Sequence, residues 1–222
     1  MTAKVILFDF DGTIANTYQA IASITNQLST EFGYKALNQE ELLLIKNLSS
    51  REIVKRSEIS FFKLPFLLRR VRLELSKEIA ELESIQGIDQ VLLQLKHLGY
   101  VLGIVTSNNQ ENVDIFLAKN QLAHLFDYVY SDTSVFGKHR VINQVIREHM
   151  LDKTDVIYVG DETRDIRSAR KSRISVIAVS WGFNAPEILS EHQPDYLVDH
   201  PSELLGAICL WQPCQSTVNS CQ

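Results

Sequence analysis

Two acids stand two residues apart in the stretch VILFDFDGT, where a run of apolar, strand-forming residues ends in Asp9, Asp11, Gly12 and Thr13. In extended backbone, residues i and i+2 point the same way. Both carboxylates therefore face one spot. Three further segments of similar make-up follow apolar runs: VLGIV leads into Thr106, Ser107, Asn108 and Asn109, the Tyr128 run is followed by FGKHR with Lys138, and VIYV leads into GDETRD with Asp161 and Asp165. Each alone has an ordinary reading. Asp-Gly-Thr is good turn chemistry, a hydroxyl after a strand caps the next helix, Lys138 suits a solvated surface, and GDETRD suits a turn before an acidic helix start. Together they pose an electrostatic problem, because converging carboxylates repel one another unless a cation holds them. An oxygen-rich site of this kind suits magnesium, which leaves positions for waters and a phosphate.

The elements that must position these residues are visible as short apolar, β-branched runs at 4–8, 101–106, 128–130, 156–159, 174–180 and 196–198, separated mostly by segments of helical spacing. Such alternation indicates an α/β protein with a parallel sheet. The runs are nearly continuous rather than alternating, which suits strands covered on both faces, so a doubly wound sheet is expected. Ligands bind beyond the carboxyl ends of the strands in such sheets, and the four chemistry-bearing segments all lie there. The alternation breaks once, between Asn16 and about Ile85. Its clearest helix is expected from Leu64 to Leu82, with Leu64, Leu68, Val71, Leu75, Ile79 and Leu82 at steps of three and four. The chain thus divides into an α/β core of residues 1–15 and 85–211, a helical cap of residues 16–84 lying over the acids, and a flexible tail, 212–222.

Composition narrows the classes. In 222 residues, 45% are apolar and 22% charged, the balance of a soluble globular chain. A net charge of -5 gives no basic footprint for nucleic acid. No run reaches the 18 or so apolar residues of a membrane helix, and Met1–Lys4 lead straight into a strand without a leader pattern, which reads as cytoplasmic. Cys209, Cys214 and Cys221 match neither a disulfide framework nor zinc spacing.

FDFDGT, Thr106, Lys138 and GDETRD, in this order, resemble the four motifs of the haloacid dehalogenase-like hydrolase superfamily, in its phosphoglycolate phosphatase-like branch. The resemblance covers residues 1–15 and about 85–208; the insert matches only in its place and helical character. It implies a Rossmann-like core and a Mg2+-dependent phosphatase acting on a small phosphorylated metabolite, not on nucleic acid or at a membrane. Asp9 would be the nucleophile that forms an aspartyl-phosphate, and Asp11 the acid and then the base. Mg2+ would be held by Asp9, the main-chain carbonyl of Asp11 and Asp161. Thr106 and Lys138, with Gly12, Thr13, Ser107, Asn108 and nearby amides, would surround the phosphoryl group, and Asp165 would orient Lys138 or a metal-bound water. The second acid, Asp11, disfavours dehalogenase chemistry. A phosphomutase resembling β-phosphoglucomutase and a catalytically silent protein on the same fold are the alternatives.

Some positions depart from the pattern. His139 and Arg140 follow Lys138 where relatives carry a proline-containing turn, and Glu162, where a small hydroxyl residue is common, is expected to point to solvent. Lys63, Arg69, Arg70 and Arg72 are read as part of a mixed-charge solvated face with Glu74, Glu78, Glu81 and Glu83. In SWGFN, Trp181 and Asn184 stand either at the mouth of the site or, for Trp181, packed on the sheet edge.

Overall fold

The computed structural model describes residues 4–57, 59–60, 62–131 and 137–211. The expected tail at 212–222, with Cys214 and Cys221, lies outside the described residues. Six strands form one parallel sheet: β1 (Val5–Phe8), β2 (Val101–Thr106), β3 (Tyr128–Ser131), β4 (Val156–Gly160), β5 (Ser175–Val179) and β6 (Tyr196–Val198), in the order β3-β2-β1-β4-β5-β6. β1 is central, with Phe8 paired to Ile104 on one side and to Val159 on the other. The chain winds outward from β1 through β2 and β3, then starts again at β4, so β1 and β4 flank the switch point where such sheets bind ligands.

VILF is fully buried because both sides of the sheet are covered. Ile6 and Phe8 join one core cluster, Val5 and Leu7 the other, as the two-residue alternation of a strand requires. The helices are α1 (Tyr18–Gln27), α2 (Ser29–Phe32), α3 (Gln39–Ile45), α4 (Ser50–Arg56), α5 (Leu64–Glu78), α6 (Ile88–His97), α7 (Gln110–Lys119), α8 (Lys138–Glu148), α9 (Thr163–Ser172), α10 (Pro186–Glu191) and α11 (Leu204–Trp211). The face with Ile6 and Phe8 is covered by residues of α6, α7 and α11, and the opposite face by residues of α8 and α9.

Helices α1 to α5 fall between β1 and β2, where no strand was expected. The chain leaves and returns side by side: the Asn16 amide donates to the Glu83 carbonyl (3.0 Å) and the Ile85 amide to the Ile14 carbonyl (2.8 Å). Capping boxes start α3 at Asn38 with Glu41 and α4 at Ser49 with Glu52. α5 ends earlier than its apolar spacing suggests. It stops at Glu78, tightens into a 3-10 turn over Ile79–Glu81, and Leu82 is extended, because Ser84 and Ile85 must pair with the outgoing chain. Its buried stripe is Leu64, Leu67, Val71 and Leu75. Leu68, expected in that stripe, instead lines a cavity beside Asp11.

Candidate active site

β1 continues past Phe8, since the Asp9 amide donates to the Val159 carbonyl at 2.8 Å. This fixes Asp9 at the end of the sheet, where it is almost wholly buried. Its Oδ1 accepts from the Phe10 amide (2.8 Å), and its Oδ2 lies 2.8 Å from Lys138 Nζ but outside hydrogen-bond geometry. Lys138, the first residue of α8, is buried and donates to Asp165 Oδ1 at 2.6 Å. Asp165 is in turn held by the Glu162 amide on Oδ2 (3.0 Å). Both Asp165 oxygens are therefore engaged, one of them in aiming the lysine.

Half-buried Asp11 faces the cavity. The Asn108 side-chain amide donates to both of its oxygens at 3.1 Å. Asn108 is itself set by its amide on Thr106 Oγ1 (3.0 Å) and by Asn112 Nδ2 on its Oδ1 (3.0 Å). Asn112 reaches back to α5, accepting from Ser76 Oγ at 2.6 Å. The orientation of Asp11 thus depends on a helix of the insert.

Asp161 ends β4 fully buried. Thr13 Oγ1 donates to its Oδ1 (2.8 Å) and the Phe183 amide to its Oδ2 (2.7 Å). Two glycines make room for it. A Cβ at Gly12, whose φ is +77°, or at Gly182 would fall against Asp161 Oδ2. The expected site residues therefore converge, with Gly12 and Thr13 packed on Asp161 and Ser107 on the cavity wall.

Burial is the largest influence on all three acids at the centre. It pushes Asp9 up to about 7 against the pull of Lys138, and Asp11 up to about 6 against the lowering influence of the nearby Thr17 hydroxyl and the Asn108 hydrogen bonds. It also raises Asp161, with the Asp9 charge adding to the rise. For Lys138, burial acts downward but is outweighed by Asp165 and Asp9, so the ammonium stays charged. Asp9, Asp161 and Asp165 can each offer one oxygen within 4.8 Å of the others. This buried all-oxygen set fits a hard divalent cation.

Several contributors were not legible in advance. Glu162 does not point to solvent: its Oε2 accepts from Ser50 Oγ of α4 (2.9 Å) and its Oε1 pairs with Arg164 (2.5 Å). The pairing partner, inside the GDETRD motif, and the hydroxyl of the insert are what turn it inward. Arg70 pairs with Glu74 as a mixed-charge face would, but Arg72 of the same helix lines the cavity. Trp181 Nε1 donates to the Thr13 carbonyl (3.2 Å). Buried Asn184 ties the loop to the insert, donating to the carbonyls of Lys46 (3.2 Å) and Leu48 (3.0 Å). Lys46 Nζ donates to the Gly182 carbonyl at 2.9 Å and lies over the Tyr18 ring. Nothing in the local sequence around Lys46 signalled that contact, which spans 136 positions.

A buried acid at the end of a central parallel strand, a buried lysine beside it and a second acid cluster on the neighbouring strand define a class. The chain belongs to the haloacid dehalogenase-like hydrolase family, which it matches over residues 6–179. Within that family it falls in the phosphoglycolate phosphatase-like branch. It is 35% identical to the phosphoglycolate phosphatase of Synechococcus elongatus, over 92% of this chain and 97% of that one. It is also 27% identical to the pyrophosphatase PpaX of Bacillus mycoides, over 92% and 96% of the two chains. A solved structure described as a predicted phosphatase from Clostridium acetobutylicum matches with a TM-score of 0.81 at 22% identity, covering 95% of this chain and all of that one, a likeness of fold. Among the described residues, no helix is long and apolar enough to cross a membrane.

Proposed function

We propose that this phosphatase hydrolyses a small phosphorylated metabolite through an aspartyl-phosphate on Asp9, with Mg2+ as its metal. The observation that carries this reading is the pairing of Asp9 with Lys138 next to Asp11, which opens on a cavity of about 130 Å³. Asp9 forms a bond to phosphorus as the bond to the leaving oxygen breaks, and Asp11 gives that oxygen its proton. Water then attacks phosphorus, Asp11 takes a proton back, and inorganic phosphate leaves with the Asp9 carboxylate restored. An Asp11 raised to about 6 is well placed to do both. Thr106 and Lys138 would hold the equatorial phosphoryl oxygens, where charge spreads in the transition state. Asp165 positions Lys138.

Asp9, Asp161 and the Asp11 carbonyl would hold Mg2+, which supplies positive charge between the Asp9 carboxylate and an incoming phosphate. The likeness to a phosphoglycolate phosphatase at 35% identity and to a pyrophosphatase at 27% supports hydrolysis over mutase chemistry. Residues 16–84 are assigned as a cap on a core of 1–15 and 85–211, because the chain leaves and returns side by side at Asn16 and Glu83. Phosphate release from an aryl phosphate should require Mg2+ and disappear in Asp9→Asn. Turnover that persists in that variant or in excess chelator would refute the mechanism.

A further inference from the structure

The cavity beside Asp11 has two walls. The sheet end contributes Ser107, Asn108, Glu162 and Arg164, and the insert contributes Arg72 with an apolar strip that includes Leu68 and Val71. Arg164, inside the fourth motif, lines this space, and its charge also reaches Asp9. Its pairing with Glu162 is unusual in form. An arginine and a carboxylate commonly meet through two parallel hydrogen bonds. Here only Nη2 meets Glu162, at Oε1 (2.5 Å), while Oε2 accepts from Ser50 Oγ at 2.9 Å. Nη1 makes a long contact of 3.5 Å to Ser107 Oγ, and the buried Nε has no acceptor among the described residues. The guanidinium is therefore held by Glu162 while its Nη1 end makes only that long contact, and the side chain, 22% exposed, lines the space next to the acid that serves the leaving group.

We propose that Arg164 is the specificity-determining residue that receives a second anionic group of the substrate, and that Glu162 positions it under control of the insert through Ser50. This rests on reading Asp9 as the phosphoryl acceptor. The second anionic group lies on the leaving-group side of Asp11, in the part of the cavity lined by Arg164, Ser107 and Arg72. Glu162 gives up one oxygen to α4 and one to Arg164. With α4 seated, Ser50 fixes the carboxylate and the arginine with it, so the insert helps to set the choice of substrate.

The test is the ratio of kcat/KM for two esters of similar size, 2-phosphoglycolate and ethyl phosphate, which differ in a carboxylate against a methyl group. A hydrogen bond to a charged partner corresponds to about 10- to 100-fold in this ratio. Arg164→Met should lower the ratio by that amount, and Arg164→Lys, which keeps the charge without the fork, by less. Ser50→Ala should raise KM for the carboxylated ester several-fold while its kcat holds, a split that general loosening of the fold would not produce. Should Arg164→Met fail to fold, the lysine and alanine variants carry the test. A ratio unchanged in Arg164→Lys and Ser50→Ala, with wild type active and Asp9→Asn inactive, overturns this inference alone. Equal phosphate release by wild type and Asp9→Asn overturns the reading of Asp9 and the inference with it.

Discussion

In the presence of chelator, the protein should lose stability as pH rises from about 5 to about 8, and magnesium should reverse the loss. Asp9 moves from its ordinary 3.8 up to about 7 and Asp11 to about 6, and Asp161 rises too, burial being the largest cause in each. An acid whose folded pKa exceeds its unfolded one binds its proton more tightly in the folded state. Between the two values the native protein holds more protons than the unfolded chain, so the unfolding free energy falls as pH rises. For Asp9, three units at about 1.4 kcal/mol each come to on the order of 4 kcal/mol, roughly 3 kcal/mol of it above pH 5. That is a large share of the ~5–15 kcal/mol typical of a folded domain. Glu41, Glu52, Glu74, Glu148 and Asp152 are lowered from their ordinary 4.5 or 3.8 by hydrogen bonds. Their stabilisation is lost only as pH falls through those lower values, outside the window. Lys138, raised, keeps its contribution until pH exceeds its ordinary 10.5. A divalent cation binds the carboxylates and not the acids, so its stabilising effect should be larger near pH 8 than near pH 5. Urea unfolding at constant ionic strength, with EDTA or with excess Mg2+, measures both slopes, and Asp9→Asn should flatten the one in EDTA. Stability that is flat or rises across this window in EDTA, or a magnesium effect equal at both ends, would sink the argument.

Asn108→Ala removes both hydrogen bonds to Asp11 and should lower kcat by about 10- to 100-fold, short of the roughly 100- to 10,000-fold that a positioned acid and base supply; steady-state kinetics decide. Lys138→Met leaves Asp165 and Asp9 buried without their cation, so denaturation should show a loss of about 3 kcal/mol or more near neutral pH. Gly182→Ala places a methyl group against Asp161 and should shift the magnesium dependence of activity to higher concentration, read from a titration of rate against Mg2+. Leu75→Ala, deep in the seam between insert and core, should cost about 2–5 kcal/mol, measured by urea unfolding.

The sheet was legible because its strands are buried on both faces, so apolar runs such as VILF and VIYV announce themselves without help from partners. Asp9, Asp11 and Asp161 were legible because turn chemistry and acids at strand ends are local patterns. Glu162 and Arg72 were not, because contacts from another element help turn each inward: Ser50 of α4, beside the nearby Arg164, for the first, and the cavity shared with the sheet end for the second. Charge on a helix face reads as solvated by default, and only packing of one helix over another reverses that. The end of α5 was misjudged for a similar reason. The apolar steps through Leu82 continue the helical period, but pairing of Ser84 and Ile85 with the outgoing chain wins over it.

The side-by-side departure and return at Asn16 and Glu83 has a consequence for how such a protein changes over time. Two neighbouring points on the sheet end are the only chain connections between insert and core, and a few hydrogen bonds between Ile14–Asn16 and Glu83–Ile85 hold them together. The span between can lengthen, shorten or be replaced at small entropic cost, since closing a loop whose length doubles costs only ~0.6 kcal/mol more. The reaction centre and the surface that chooses what reaches it can therefore diverge at separate rates. One chemical core can then be inherited nearly unchanged while its clientele is rewritten by exchanging the piece plugged in behind its first strand.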